Sequence, residues 1–444
     1  MKSILNGVEL NLKQEIAKII TEIDYVQFQF TNIAGELKAV EVPKKYAEKY
    51  LEEGLGIDGS SVGFLATQQS DMLIAPDLTT LHLLPWDPRI ARVICDVTDI
   101  NGKPLQSDPR SILKRAINLA KEEFGCDFKV RPEIEFYVMS PDGEPADIGG
   151  YMDAPPLDAE IELRRTMTDF MMEFGIFPKM LHHEVGPAQM EIEFAMEDAL
   201  YAADMAQTVK QIIRMVAWNA GLVASFIPKP YTTEAGSGLH VHHMLYKGNK
   251  NLFSAEGGVP SETLRHFVGG LLKHAPGLTA IFNPLVNSYK RLVPGHEAPV
   301  FISWGIANRT ALIRVPGYEK SARIEYRGAD SASNIYLLIA LLLVSGLDGV
   351  KNKIEPIEGT TLNVDRLTED KRKEMGVTEV PRNLEEALIA LNNDKFLCDF
   401  LGPQFIEIFN RTKKKHWETF AKNVRNPNTQ EVTEWEFNEM FERI

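Results

Sequence analysis

The chain has 444 residues, with 48 Lys and Arg against 62 Asp and Glu, a formal net charge of -14. That length is ample for two or three domains with full cores, and that charge excludes broad attraction to nucleic acid or to an anionic membrane surface, so any anionic ligand must be held locally. The three Cys, at 95, 126 and 398, have no metal-site spacing and fit a reducing compartment in which each is a small buried hydrophobe.

In chain order, the opening "MKSILNGVELNLKQEI" is charged and has no apolar signal core, and no run reaches eighteen uninterrupted apolar residues, so a cytoplasmic protein is expected. Leu12 to Ile23 has helical spacing, and "DYVQFQFTNIAGELKAVEVP" alternates on both sides of a Gly turn, as a hairpin does. Further strands are expected at "TLHLLPW" and "ARVICDVTD", closing a small α+β unit near Pro104. "SDPRSILKRAINLAKEE" then predicts a helix capped by Ser107 or Asp108 with Pro109 in its first turn. Beyond it, the strands "RPEIEFYVM", "AQMEIEFA" and "SARIEYRG" alternate with helices at Asp158–Phe174, Ala199–Asn219 and Glu262–Ala275. "IYLLIALLLVSGLDGV" is too short to span a membrane and reads as a buried helix, and Leu384 to Ile444 reads as a charged helical region.

The glutamates carry the chemistry. On a strand, Glu133 and Glu135 share one face while Ile134 and Phe136 share the other. Adjacent carboxylates repel, and a cation between them is the simplest compensation. Glu184, Glu191 and Glu193 repeat the theme, Glu325 lies between Arg323 and Arg327, and His240 and His242 keep the period of two. An isolated Glu-x-Glu is most often the solvated face of a sheet; several such segments flanked by arginines suggest a metal site that works on phosphate. Carboxylates with imidazole and no thiolate suit Mg2+ or Mn2+. A Walker lysine and a glycine-rich dinucleotide fingerprint are both missing, so a bound nucleotide needs another architecture.

The segments "IDGSSVGF", "PEIEFYV", "HHEVGPAQMEIEF", "GSGLHVH", "NSYKRLVPGHEAP", "ANRTALIRVP" and "ARIEYRGAD" stand in the order of the signatures of type I glutamine synthetase, which the chain resembles. The resemblance implies an α+β fold: a β-grasp domain over 1–104 and a glutamine synthetase/guanido kinase-like catalytic domain over 105–444. It implies a homo-dodecamer of two stacked hexameric rings, with active sites between neighbouring subunits and two to three Mg2+ or Mn2+ ions in each. The reaction implied is an ATP-dependent γ-glutamyl amide ligation of L-glutamate and ammonium through γ-glutamyl phosphate, with methylamine or another small alkylamine as the alternative acceptor. A silent regulator of this fold would lose metal ligands, and a guanidino kinase would not need His240 or the paired glutamates.

By the same resemblance, Glu135, Glu184 and Glu191 hold the ion nearer the amino acid, and Glu133, His240 and Glu325 hold the ion on the nucleotide phosphates. Arg291 and Arg327 bind substrate carboxylates with main chain from Gly236. Arg309, Arg314 and Arg323 serve the phosphates, and His242 lies near the nucleotide. Asp58, from the neighbouring subunit, captures and helps deprotonate ammonium beside Ser61; Glu297, on the flap, shields the intermediate and takes a proton. Lys290 has no role and is expected in solvent.

Several positions depart from the family pattern. Ala235 replaces an asparagine, Met244 a serine, His296 a tyrosine, and Ala66 an arginine tied to glutamine feedback; no tyrosine follows Tyr336, so the adenylylation site of some relatives is missing.

Overall fold

The computed structural model describes residues 10–254, 260–295, 298–316 and 322–444. The amino-terminal unit is a five-stranded sheet ordered Leu37–Pro43, Tyr25–Thr31, Asp87–Thr98, Asp71–Leu84, Leu55–Asp58. Only the central Tyr25–Thr31/Asp87–Thr98 pair is parallel. Its alternation works as expected: Val26, Phe28 and Phe30 face inward, and the helices Leu10–Glu22 and Lys44–Glu53 close over the sheet through Ile16, Ile20, Ala47 and Leu51.

The larger unit is built on a sheet whose main path runs Trp304–Ile306, Ile313–Val315, Ile324–Tyr326, Leu239–Lys247, Asp127–Met139, Gln189–Phe194, Pro178–His183. Along this path every pairing is antiparallel except the first. On the sheet's central strands Asp127–Met139, Gln189–Phe194 and Leu239–Lys247, most polar residues are buried along with the apolar ones. The helix Ile335–Asn352 is apolar and long enough to cross a membrane by composition, but Ile335 through Gly349 are all buried, and it packs against Pro109–Leu119, Ala199–Asn219 and Glu262–Phe282. Each Leu or Ile buried there contributes roughly 1.5–3 kcal/mol.

Of the two candidate caps, Asp108 does the work by accepting from the Ser111 amide at 3.0 Å, while Ser107 is buried. The helix expected at Asp158 starts at Ile161, and the one expected to stop at Ala275 continues through Pro276 to Phe282. Proline removes one backbone donor; burial of Leu278, Ile281 and Phe282 outweighs that loss. Cys95 and Cys126 are buried as expected, but Cys398 is only half-buried.

Among the contacts that join the two units, such as Arg92 to Thr208 and Asn334 to Asn32 O, Arg110 makes the most ion pairs. Arg110 donates to Asp96 and Asp77 of the first sheet at 2.7 and 2.8 Å, and to both oxygens of Asp204 on the helix Ala199–Asn219. Tyr336 also donates to Asp204, at 2.8 Å.

Candidate active site

Strand register, more than any loop, assembles the site. Glu135 lies opposite Glu191, which lies opposite His182. One step along, Glu193, Glu133 and His240 are aligned across three strands, and the next row reads Arg131, His242, Glu325, Arg314. Neighbouring strands are about 4.8 Å apart, so each row brings its side chains within reach on one face. The other face carries Ile134, Phe136, Ile192, Val241 and His243 into the core. Burial pushes the His243 ring down to about 3, which makes it a neutral core residue.

These rows floor a cavity of about 520 Å3. It brings together Glu133, Glu135, Glu184, Glu191, His240, His242, Gly236, Arg291, Arg309, Arg314, Arg323 and Arg327, all picked out from the sequence. Glu325 joins through a cluster with Glu133 and His240, whose ligand atoms lie within 4.8 Å of one another. Two more such clusters are Glu135, Glu191, His240 and His182, Glu184, Glu191. The sequence reading had Glu135, Glu184 and Glu191 as one set; the geometry puts Glu191 between two, with His240 in one and His182 in the other.

The donor set fits a hard divalent cation. It is oxygen-rich with imidazole and has no thiolate, and the buried His240 Nε2 has no hydrogen-bond partner. A Cβ at Gly238 would stand 2.9 Å from that nitrogen and 2.7 Å from Arg291 Nη2, so only glycine leaves the approach open.

Electrostatics divide the carboxylates. Burial, then Glu135 and Glu191, pushes Glu184 up to about 8. Burial also raises Glu191, to about 7, against the hydrogen bond from His182 and with Glu133 and Glu135 adding to the rise. At the other end burial is outweighed: His242 and His240 hold Glu133 well below the carboxylate range, and Arg327 with the histidines brings Glu325 to about 2. Arg327 donates to Glu325 at 2.5 Å, and Arg314 donates to its other oxygen. Arg323 Nε donates to His242 Nδ1 at 3.0 Å, which leaves the ring proton on Nε2, facing Glu133 at 2.7 Å. His242 thus meets the cavity as a buried prop for Glu133. Arg291 is 2% exposed, and its Nη1 has no partner. Arg309 is exposed at the mouth.

Asp58 is not in this cavity. It ends the strand Leu55–Asp58 in solvent, where Ser61 and Ser60 donate to its carboxylate at 2.5, 2.8 and 2.9 Å and hold its pKa well below the usual range. Glu297 and His296 lie outside the described residues. Ala235 lines the cavity and gives its carbonyl to Tyr137 Oη at 2.6 Å. The nearby Gln189 amide reaches Gly236 O at 3.2 Å and is therefore already engaged. Met244 is buried, its sulfur accepting from Asn251 at 3.4 Å, and Ala66 is exposed.

Lys290 overturns its expectation. It is 3% exposed, donates to Glu431 O at 2.5 Å and pairs with Glu436 at 3.3 Å. Sequence reasoning also missed His182, which faces Glu191 at 3.1 Å, and Arg131, which pairs with Glu133 at 2.7 Å. Both stand two residues from a chosen glutamate, and that alternation was the available signal.

The family model described as the glutamine synthetase catalytic domain matches residues 106–440, and the one described as the glutamine synthetase beta-grasp domain matches 22–100. The glutamine synthetase of Pyrococcus abyssi (strain GE5 / Orsay) is 44% identical over 427 residues, 94% of this chain and 96% of the relative. That of Thermotoga maritima is 43% identical over 430 residues, 93% and 97%. A solved structure described as a GmaS/ADP complex superposes with a TM-score of 0.85 at 31% identity, covering 96% of this chain and 99% of that one.

Proposed function

The chain belongs to the glutamine synthetase family, and from that premise we propose that it is a cytoplasmic ATP-dependent ligase joining ammonia to the γ-carboxyl of L-glutamate. The observation that carries the reading is the pairing, in one cavity, of buried carboxylate–histidine clusters with the buried arginines Arg291, Arg314, Arg323 and Arg327.

The γ-carboxylate of glutamate is a poor electrophile, so one of its oxygens first takes the γ-phosphoryl group of ATP and ADP leaves. Mg2+ or Mn2+, two to three per site, held by Glu135, Glu184 and Glu191 on one side and Glu133, His240 and Glu325 on the other, would supply charge neutralisation at the phosphoryl oxygens. Arg314, Arg323 and Arg309 add fixed positive charge on the same side. Arg323, through His242, keeps Glu133 ionised and oriented. Arg291 offers its unpartnered Nη1 to the substrate α-carboxylate, beside the main chain of Gly236, and Arg327 faces the reacting carboxylate. The amine must attack the acyl carbon as a free base: ammonium gives up a proton to Asp58 of a neighbouring copy or to Glu297, the C–N bond forms, and phosphate leaves. The flap bearing Glu297 excludes the water that would hydrolyse the acyl phosphate. Delivery of Asp58 by a neighbouring copy is what a homo-dodecamer of two stacked hexameric rings would provide.

A small alkylamine is the second reading, favoured by Met180 and Val185, which add apolar surface to the cavity wall beside Glu184. Room for one methyl group is worth only about 0.8 kcal/mol. The test is phosphate release from ATP, Mg2+ and glutamate with ammonium, methylamine, ethylamine or no amine. Ammonium is expected to give the highest kcat/KM. Methylamine far ahead of ammonium would transfer the assignment to the second reading, and no amine stimulation at all would reject both.

A further inference from the structure

The carboxyl-terminal helix Glu434–Met440 opens with a capping box in which Thr433 N and Oγ1 donate to Glu436 Oε2 at 2.9 and 2.7 Å. Capping-box glutamates sit at a helix end, where water can reach them; Glu436 is 0% exposed. A buried carboxylate is costly unless its lone pairs are met, and here the remaining partners come from the far side of the molecule in sequence. Asn287 Nδ2 donates to Glu436 Oε1 at 3.1 Å, and Lys290 Nζ pairs with Oε2 at 3.3 Å. Asn287 is itself a bracket: its Oδ1 accepts from Lys229 N at 2.7 Å, and its Nδ2 also donates to Lys229 O at 3.0 Å.

Two halves of the cavity therefore meet at one carboxylate. Asn287 and Lys290 belong to the turn that ends in Arg291, whose guanidinium is tethered only loosely, Nη2 to Arg327 O at 3.3 Å. Lys229 roots the loop that carries Gly236, where a Cβ would lie 2.7 Å from Arg291 Cγ. We propose that Glu436 is a positioning residue for the glutamate subsite: through Asn287 and Lys290 it sets Arg291 and the Gly236 main chain in register with each other. It touches no substrate. The inference rests on reading Arg291 and Gly236 as the glutamate contacts, and the nucleotide arginines Arg309, Arg314 and Arg323, on segments that neither Asn287 nor Lys290 belongs to, lie outside its reach.

Steady-state kinetics of the full-length enzyme test it. E436A is expected to raise the KM for glutamate roughly 10- to 100-fold while the KM for ATP stays within about twofold, as misplacement of a binding group would do. E436Q has one amide oxygen, which can still accept from Thr433 and hold the cap, but its NH2 meets the Asn287 donor, so it should show the same split in smaller measure. N287A should reproduce the split, and E436A/N287A should be no worse than E436A alone, because the two act as one unit. If E436A does not fold, E436Q and N287A still carry the comparison. Equal rises in both KM values, or full additivity, would overturn the inference while the ligase reading stands. A wild-type chain lacking glutamate-dependent phosphate release would remove that reading and this inference with it.

Discussion

Glu184 and Glu191 are held protonated to about pH 8 and 7 by burial and by their acidic neighbours, and that sets a sign for the stability of the metal-free protein. A carboxyl whose folded pKa lies above its unfolded value of 4.5 adds stability that is complete below that value and is lost as pH rises through 7 to 8. His182, raised to about 9 against the lowering effect of burial by its bond to Glu191, loses its contribution in the same direction. Glu325, lowered to about 2, acts only in acid and leaves this window untouched. A divalent cation binds the ionised form, so the rise in thermal midpoint on adding Mg2+ or Mn2+ to chelator-treated protein is expected to be clearly larger at pH 8 than at pH 6. An equal gain at both values would mean that these carboxyls are not the ligands. The glutamates themselves were legible because a period of two is a local property. His182 and Arg131 share that period, but their cross-strand neighbours, Glu191 for the one and His242 for the other, are fixed by which strand pairs with which. Lys290 was misread because a lysine is usually solvated, and its acidic partner lies on the last helix of the chain.

At the level of elements, the site's backing depends on how closely two helices approach. A Cβ on Gly349 would lie 2.0 Å from His266 O and 2.6 Å from Gly270 N; one on Gly270 would lie 2.1 Å from Ser345 O. Glycine at both positions lets Glu262–Phe282 and Ile335–Asn352 touch backbone to backbone beneath the sheet. Gly349→Ala would gain helix propensity, about 1 kcal/mol, but must force the helices apart, and overpacking costs about 1–3 kcal/mol or more. The expected outcome is a net loss of about 2 kcal/mol in denaturant unfolding, with kcat/KM per folded molecule unchanged. A more stable variant would show that the crossing can relax. Both helices were readable from apolar spacing; their crossing was not, because a glycine inside a helical pattern does not say what it faces. The extension past Pro276 was hidden for a related reason, since the burial that outweighs the lost hydrogen bond is supplied by tertiary packing.

For the whole molecule, the decisive fact is where Asp58 stands. It projects into solvent at the far edge of the amino-terminal sheet, on a unit fixed to the larger one by Arg110, and it does not line its own chain's cavity. If Asp58 serves catalysis, a second copy must bring it, and two defects on different chains can then complement. Asp58→Asn and Arg291→Met should each be close to inactive alone. Co-assembled in equal amounts, they leave about a quarter of the shared sites with an intact Asp58 on one side and an intact cavity on the other, by random mixing of copies around a ring. Activity of the mixture is therefore expected to rise to about a quarter of the wild-type value per site, and to fall back when the two variants are refolded apart and combined only after assembly. A mixture that never exceeds the sum of its parts would mean that Asp58 does not reach a neighbour's cavity, and that amine capture rests on the chain's own groups.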